Sequence, residues 1–184
     1  MNRARAALEV VAPLPREAAA HDDLDFDAVF RRYAPYVAAV AHRLLGRDSE
    51  VDDTVQEVFL VAVRGLAGVR DAGAVKGWLA RIAVRSARRR LRLRRVRAVF
   101  GLDDAAGYDL VADAAASPEQ RALLRRVYCV LDTLPANQRI AWTLRHIEGE
   151  QLEAVASLTG CSLATAKRRI AAAAATLEEA FSDG

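Results

Sequence analysis

Between Lys76 and Arg97 the chain reads KGWLARIAVRSARRRLRLRRVR, ten basic side chains with no acid among them. Trp78, Leu79, Ile82 and Ala83 fall at helical spacings on one face. Arg81, Arg85, Arg88 and Arg92 fall on the other, with Arg89 at the border. A helix built this way can be buried along one side and still present a dense cationic ridge on the other. Guanidinium groups at this density repel one another until a polyanion lies against them, and a nucleic-acid backbone has the matching charge spacing. A solvated basic face or a membrane-surface helix would fit the charge run alone. The rest of the chain decides between them.

The 184 residues are 53% hydrophobic but only 6% aromatic. Enough apolar surface is therefore available for one moderate core or two small ones, and the abundance of Ala, Leu, Val and Arg favours helices. The fold expected is all-α, two small helical domains joined by a linker. The net charge of +3 hides a regional imbalance: residues 24–97 carry 16 bases against 8 acids, whereas 98–118 carry four acids and no base, and 119–184 balance at 8 and 8. Near the N-terminus Pro13, Pro15, Arg16 and Glu17 interrupt any apolar run, which excludes a signal peptide core or a membrane span there and predicts a cytoplasmic chain without membrane insertion. Cys129 and Cys161 lack Cys or His neighbours at ligand spacing. Neither a disulfide nor a zinc site is indicated, both are expected as small buried or half-buried residues, and no metal or cofactor is called for.

Residues 1–23 read as a mobile segment. Leu24, Phe26, Val29, Phe30, Tyr33, Val37 and Val40 then mark an amphipathic helix, bent at Pro35, to about Leu45, closed by Gly46. Asp48 or Ser49 is placed to cap a second helix that turns Val51, Val55, Val58, Phe59 and Ala62 inward and Asp52, Asp53, Gln56 and Glu57 outward. With the basic helix these form a first domain over 24–97. The stretch 98–118 lacks a sustained period and reads as a flexible acidic linker.

The second domain, 119–184, carries the sharper motif. Helices are expected over about 119–132 and from Pro135 to about Glu148, where Gly149 stops the chain. QLEAVASL, the turn Thr159-Gly160-Cys161, and then a helix capped by Ser162 complete a helix-turn-helix. Ala154, Val155 and Leu158 are expected to pack on Leu163, Ala166 and Ile170. Thr165, Lys167 and Arg168 would then face base edges or phosphates in a major groove, and Arg169 the backbone. An ordinary helical hairpin has the same pattern, but its position behind a separate basic domain favours DNA.

VDDTVQEVFLVAV (51–63), KGWLARIA (76–83) with its arginine-rich tail, and LDTLPANQRIAWTLRHIEGEQLEAVASLTGCSLATAKRRI (131–170) together resemble an extracytoplasmic-function sigma factor of the sigma-70 family over about Asp25 to Phe181. The resemblance implies a factor that binds core RNA polymerase, recognises the minus-35 and minus-ten promoter elements and promotes strand opening. By position, Asp53, Gln56 and Glu57 would meet the polymerase clamp helices. Trp78 would hold unstacked promoter bases beside Arg81, Arg85, Arg88, Arg89 and Arg92. Ser162, Thr165, Lys167, Arg168 and Arg169 would contact the minus-35 element, and the second domain the polymerase flap. An anti-sigma factor is a further implied partner. The chain departs from the family pattern at Arg85 and Arg89, where Asn and Asp or Asn are usual; after Ile170, where further bases are usual; and at Thr54, where an aliphatic residue is common and a looser core is expected.

Enzymatic readings find no support. His21, His42 and His146 lie far from one another in sequence and from any nucleophile at a known spacing. The different-class alternative is a stand-alone helix-turn-helix regulator that binds duplex DNA without polymerase.

Overall fold

The computed structural model describes residues 25–100 and 116–182, and all its regular structure there is helical. The expected mobile segment 1–23 and most of the expected linker lie outside the described residues. Helix α1 spans Phe26–Leu45 with Pro35 inside it. It ends at Gly46, whose left-handed φ of 71° lets its N–H reach the His42 carbonyl. A 3₁₀ turn, Asp48–Glu50, runs directly into α2, Val51–Gly65. Glu50, and not the expected Asp48 or Ser49, therefore occupies the N-cap position, without a side-chain bond. Thr54 does not loosen the core. It is fully buried, and its hydroxyl donates to the Glu50 carbonyl at 2.7 Å, satisfying itself within its own helix.

After two short 3₁₀ turns comes the basic helix α3, Val75–Val99, which extends past the expected stretch 76–97 at both ends. In the second half Ser117 forms a capping box with Gln120 ahead of α4, Pro118–Thr133. Pro135 precedes α5, Ala136–His146, which stops short of the expected Glu148, and Gly149 then turns with φ 71°. Helix α6, Leu152–Thr159, ends at left-handed Gly160, and α7 runs over Leu163–Ser182. No helix among the described residues is long and apolar enough to cross a membrane.

Two cores form, but they do not divide at the linker. One gathers Trp142, Leu124, Val127, Tyr128, Leu131, Leu177 and Phe181 within the second half. The larger joins Val37, Leu44, Val58, Leu79, Ala83 and Leu91 of the first half to Ile140, Ala141, Leu144, Val155, Ala156 and Ala166 of the second. Helices α5 and α6 thus pack against α3, and α5 also against α1. The small residues Ala80, Ala83 and Ala87 of α3 are buried in this core, and burying such a face contributes about 25 cal/mol per Å² of apolar surface. Cys129 is exposed, contrary to the expectation of burial, and Cys161 is half-buried.

Candidate nucleic-acid interface

Helix α3 presents the ridge the sequence foretells. Arg81, Arg85, Arg89 and Arg92 are exposed, while Leu79, Ala80, Ala83, Val84, Ala87 and Leu91 are buried on the opposite side. Trp78 is half-buried against the larger core. Its ring lies over Gly65 at the end of α2, where an added Cβ would come within 2.8 Å of Cζ2. The missing side chain at Gly65 leaves the indole its space. Trp78 is thereby held at the start of the ridge, beside the turn in which Asp71 accepts from the Gly73 N–H.

The acidic helix is less separate from this ridge than its sequence suggests. Glu57 accepts from the Ser86 hydroxyl at 2.7 Å and from Arg89 at 2.8 Å, with Arg90 a further 3.6 Å away. It is a partner of α3 rather than a solvated acid, and it ties Arg89 down. Asp53, whose side chain is 67% exposed, has only a loose pairing with Arg90 at 3.6 Å, and Gln56 is exposed. Leu60 and Val63 stand outward on the same side of α2, at 59% and 56% exposure. Asp53, Gln56, Leu60 and Val63 follow an i, i+3, i+7, i+10 register, so α2 offers one strip that is polar at its start and apolar at its end. The signal for Leu60 and Val63 was their helical phase: both lie off the face carrying Val51, Val58 and Ala62.

In the second half the Ser162 hydroxyl accepts from the Thr165 N–H at 3.2 Å and pairs with the Thr165 hydroxyl at 2.9 Å, which fixes the first turn of α7. Lys167 and Arg168 are exposed beside it, Thr165 and Arg169 half-buried. Val155 and Ala166 pack as expected. Leu163 does not: at the first position of α7 it is 39% exposed, whereas Ala156 of α6 is buried.

The two basic surfaces meet. Arg81 donates to the Ser157 hydroxyl at 3.2 Å and Arg88 to the Thr159 carbonyl at 2.7 Å, both on α6. Arg88 is less readily protonated than an ordinary arginine, first through burial and next through the charge of Arg169. Further along α3 a polar cluster joins the halves. Arg139, fully buried, pairs with Asp132 and donates to the carbonyls of Leu44 at 3.1 Å and Leu45 at 2.7 Å. Arg94 reaches Asp132 at 3.4 Å and Glu50 at 3.0 Å, and Arg47 reaches Asp132 at 3.4 Å. Arg43 and Glu148 form a buried ion pair at 3.1 Å.

The model for sigma-70 region 2 matches residues 29–97, and that for sigma-70 region 4 matches 124–177. The ECF RNA polymerase sigma factor SigM of Mycobacterium tuberculosis is 36% identical over 164 residues, covering 86% of this chain and 78% of that protein. The chain belongs to the extracytoplasmic-function sigma factors of the sigma-70 family. The ECF sigma-E factor of Escherichia coli is 32% identical over 81% of this chain and 82% of its own length. Among solved structures, the sigma factor RpoE of Bartonella quintana, in complex with the anti-sigma factor NepR, shares the fold at a TM-score of 0.65 and 24% identity, over 87% of this chain and 98% of that one.

In this sigma factor the region 2 match therefore carries the ridge and Trp78, and the region 4 match carries the helix-turn-helix. Sequence reasoning missed Leu60, Val63 and Leu163 as surface residues and gave no role to Asp132, Arg139 or Glu148. Leu60 and Val63 had a signal in helical phase, whereas the phase of Leu163 pointed inward. The last three had none: Asp132 and Arg139 are seven residues apart and pair with each other, but the groups of the first half that bury them, like Arg43 for Glu148, lie far away in the chain.

Proposed function

We propose that this sigma factor docks on the polymerase clamp helices through Asp53, Gln56, Leu60 and Val63, with Glu57 contributing by holding α2 against α3. Arg81, Arg85, Arg88, Arg89 and Arg92 take the minus-ten backbone, and Trp78 stacks on an unpaired base. Ser162, Thr165, Lys167, Arg168 and Arg169 take the minus-35 element, and the rest of the second half the polymerase flap. The factor acts by binding and not by catalysis, works in the cytoplasm and is held in check by an anti-sigma factor, as the Bartonella protein is found with one.

The observation that carries this reading is the presence, in one chain, of a capped recognition helix with free Lys167 and Arg168 and a second arginine ridge that begins at an aromatic residue. A duplex-only regulator needs the first and has no use for Trp78 beside the second. The test is transcription in vitro. The chain added to core polymerase should start RNA synthesis at a promoter that core alone ignores. Tight specific duplex binding without any affinity for polymerase would instead establish the stand-alone regulator.

A further inference from the structure

A cleft of about 120 Å³ opens between the last turns of α3 and the turn that joins α4 to α5. No arginine of the promoter ridge lines it. Its charged wall is unbalanced: Arg94, Arg95 and Arg139 face the single carboxylate of Asp132. That carboxylate is already shared among Arg139, Arg94 and Arg47. Arg95 stays exposed at the rim, with no hydrogen bond or ion pair among the described residues. The remaining wall is apolar and includes Leu91, Ala98 and Leu134.

Hydrogen-bond donors are left over in this cleft. Arg139 is used up by Asp132 and by the carbonyls of Leu44 and Leu45. Arg94, 7% exposed, donates from Nε to Glu50 and from Nη1 to the Leu45 carbonyl. Its buried Nη2 lies 3.0 Å from Glu50 Oε1 yet makes no hydrogen bond. Helix α5 adds further donors, because it begins at Ala136 on the cleft wall and no side chain caps it. Its first amides have no acceptor within the helix and form the positive end of the helix dipole. Donors that converge from two helices and an exposed guanidinium call for an acceptor with several oxygens and a charge of about −2, which a phosphate group supplies and a single carboxylate does not.

We infer that this cleft binds a small phosphate ester, whose phosphate is held by Arg94 Nη2, Arg95 and the first amides of α5 while its organic group lies on Leu91, Ala98 and Leu134. Arg94 is fixed by its own bonds and loses little freedom on binding, whereas Arg95 must be ordered from solvent. The ligand touches α3 and α5 together, so its binding stabilises the folded chain by mass action. The site does not rest on the function proposed above.

The experiment titrates the full chain with phenyl phosphate, inorganic phosphate and phenol by calorimetry at constant ionic strength. The parent is compared with Arg95→Ala, Ala98→Glu and Arg92→Ala, all at exposed positions, with the fold checked by circular dichroism. Arg92→Ala removes the same charge from the outward ridge and serves as the control. Phenyl phosphate should bind one to one, inorganic phosphate about tenfold more weakly, and phenol not at all. Arg95→Ala should raise the Kd for phenyl phosphate about tenfold, the loss of one charge-assisted hydrogen bond, and Ala98→Glu at least as much, whereas Arg92→Ala should stay within about twofold of the parent. In two-dimensional NMR spectra the Ala98 and Ala136 amides should shift on titration and that of Lys167 should not. No saturable binding of phenyl phosphate, or equal losses in Arg95→Ala and Arg92→Ala, overturns the site and leaves only counterions on an arginine-rich surface. Equal affinities for inorganic phosphate and phenyl phosphate overturn the assignment of an ester. A chain that binds phenyl phosphate in this way but fails in transcription would count only against the sigma-factor mechanism.

Discussion

Replacing Arg139 by Ala removes the most deeply buried charge among the described residues, a side chain 1% exposed. Three interactions go at once: the ion pair with Asp132 and the bonds to the Leu44 and Leu45 carbonyls. Removing one partner of a buried pair costs about 3–5 kcal/mol, and a stranded buried carbonyl about 1–3 kcal/mol. The surroundings soften both figures. Asp132 keeps Arg47 and Arg94 and is 23% exposed, and the Leu45 carbonyl keeps Arg94, so only Leu44 is left stranded. The low end applies, about 3 kcal/mol, which for a chain of this size lowers Tm by about 6–12 °C. Arg139→Lys keeps a charge near Asp132, but an ammonium cannot fork to two carbonyls, so it should recover about half of the loss. Arg92→Ala, at an exposed site on α3, should change stability by less than about 0.5 kcal/mol. Urea unfolding followed by circular dichroism measures all three. An Arg139→Ala variant within about 1 kcal/mol of the parent would refute the view that this guanidinium satisfies the α1 terminus.

Asp53→Lys should weaken core polymerase binding at unchanged Tm, whereas Glu57→Lys should also lower Tm, since it breaks the bonds to Ser86 and Arg89; competition binding and thermal melting separate the two. Gly65→Ala drives a Cβ into the Trp78 ring and should cost about 1–3 kcal/mol while shifting tryptophan emission; unchanged emission and stability would show that the ring moves freely. Burial holds the Glu148 carboxyl above its ordinary range, against the opposing pull of Arg43. The folded state thus binds its proton more tightly than the unfolded chain, stability from this group falls as pH rises from the ordinary carboxylate value through the raised one, and Glu148→Gln should flatten that part of a urea-midpoint profile. Leu163, exposed beside Lys167 and Arg168, should read a thymine methyl group. Substituting deoxyuridine at one minus-35 thymine should then weaken the polymerase complex of the parent but not of Leu163→Ala, whereas Arg168→Ala should cost about 1–3 kcal/mol on both templates in gel-shift titrations.

What the sequence determined by itself was local. Helix positions, the Gly46, Gly149 and Gly160 stops, the Ser162 cap and the division of α3 into apolar and basic faces follow from residues within a turn or two of each other, where period and capping chemistry act. The helix-turn-helix was legible for the same reason, since its two helices are joined by one glycine turn. The family resemblance added which surfaces are expected to meet polymerase and promoter. The tertiary structure decided which charges are free. Glu57 and Arg89, both exposed in a helical projection, neutralise each other across 32 residues, and Arg43 finds Glu148 across 105. Composition also predicted two cores, but not that the larger one would draw Ile140, Val155 and Ala166 across the linker. Hydrophobic period marks a face as buried without naming the surface that buries it, and a charge finds its partner only once the chain has brought distant helices within about 4 Å.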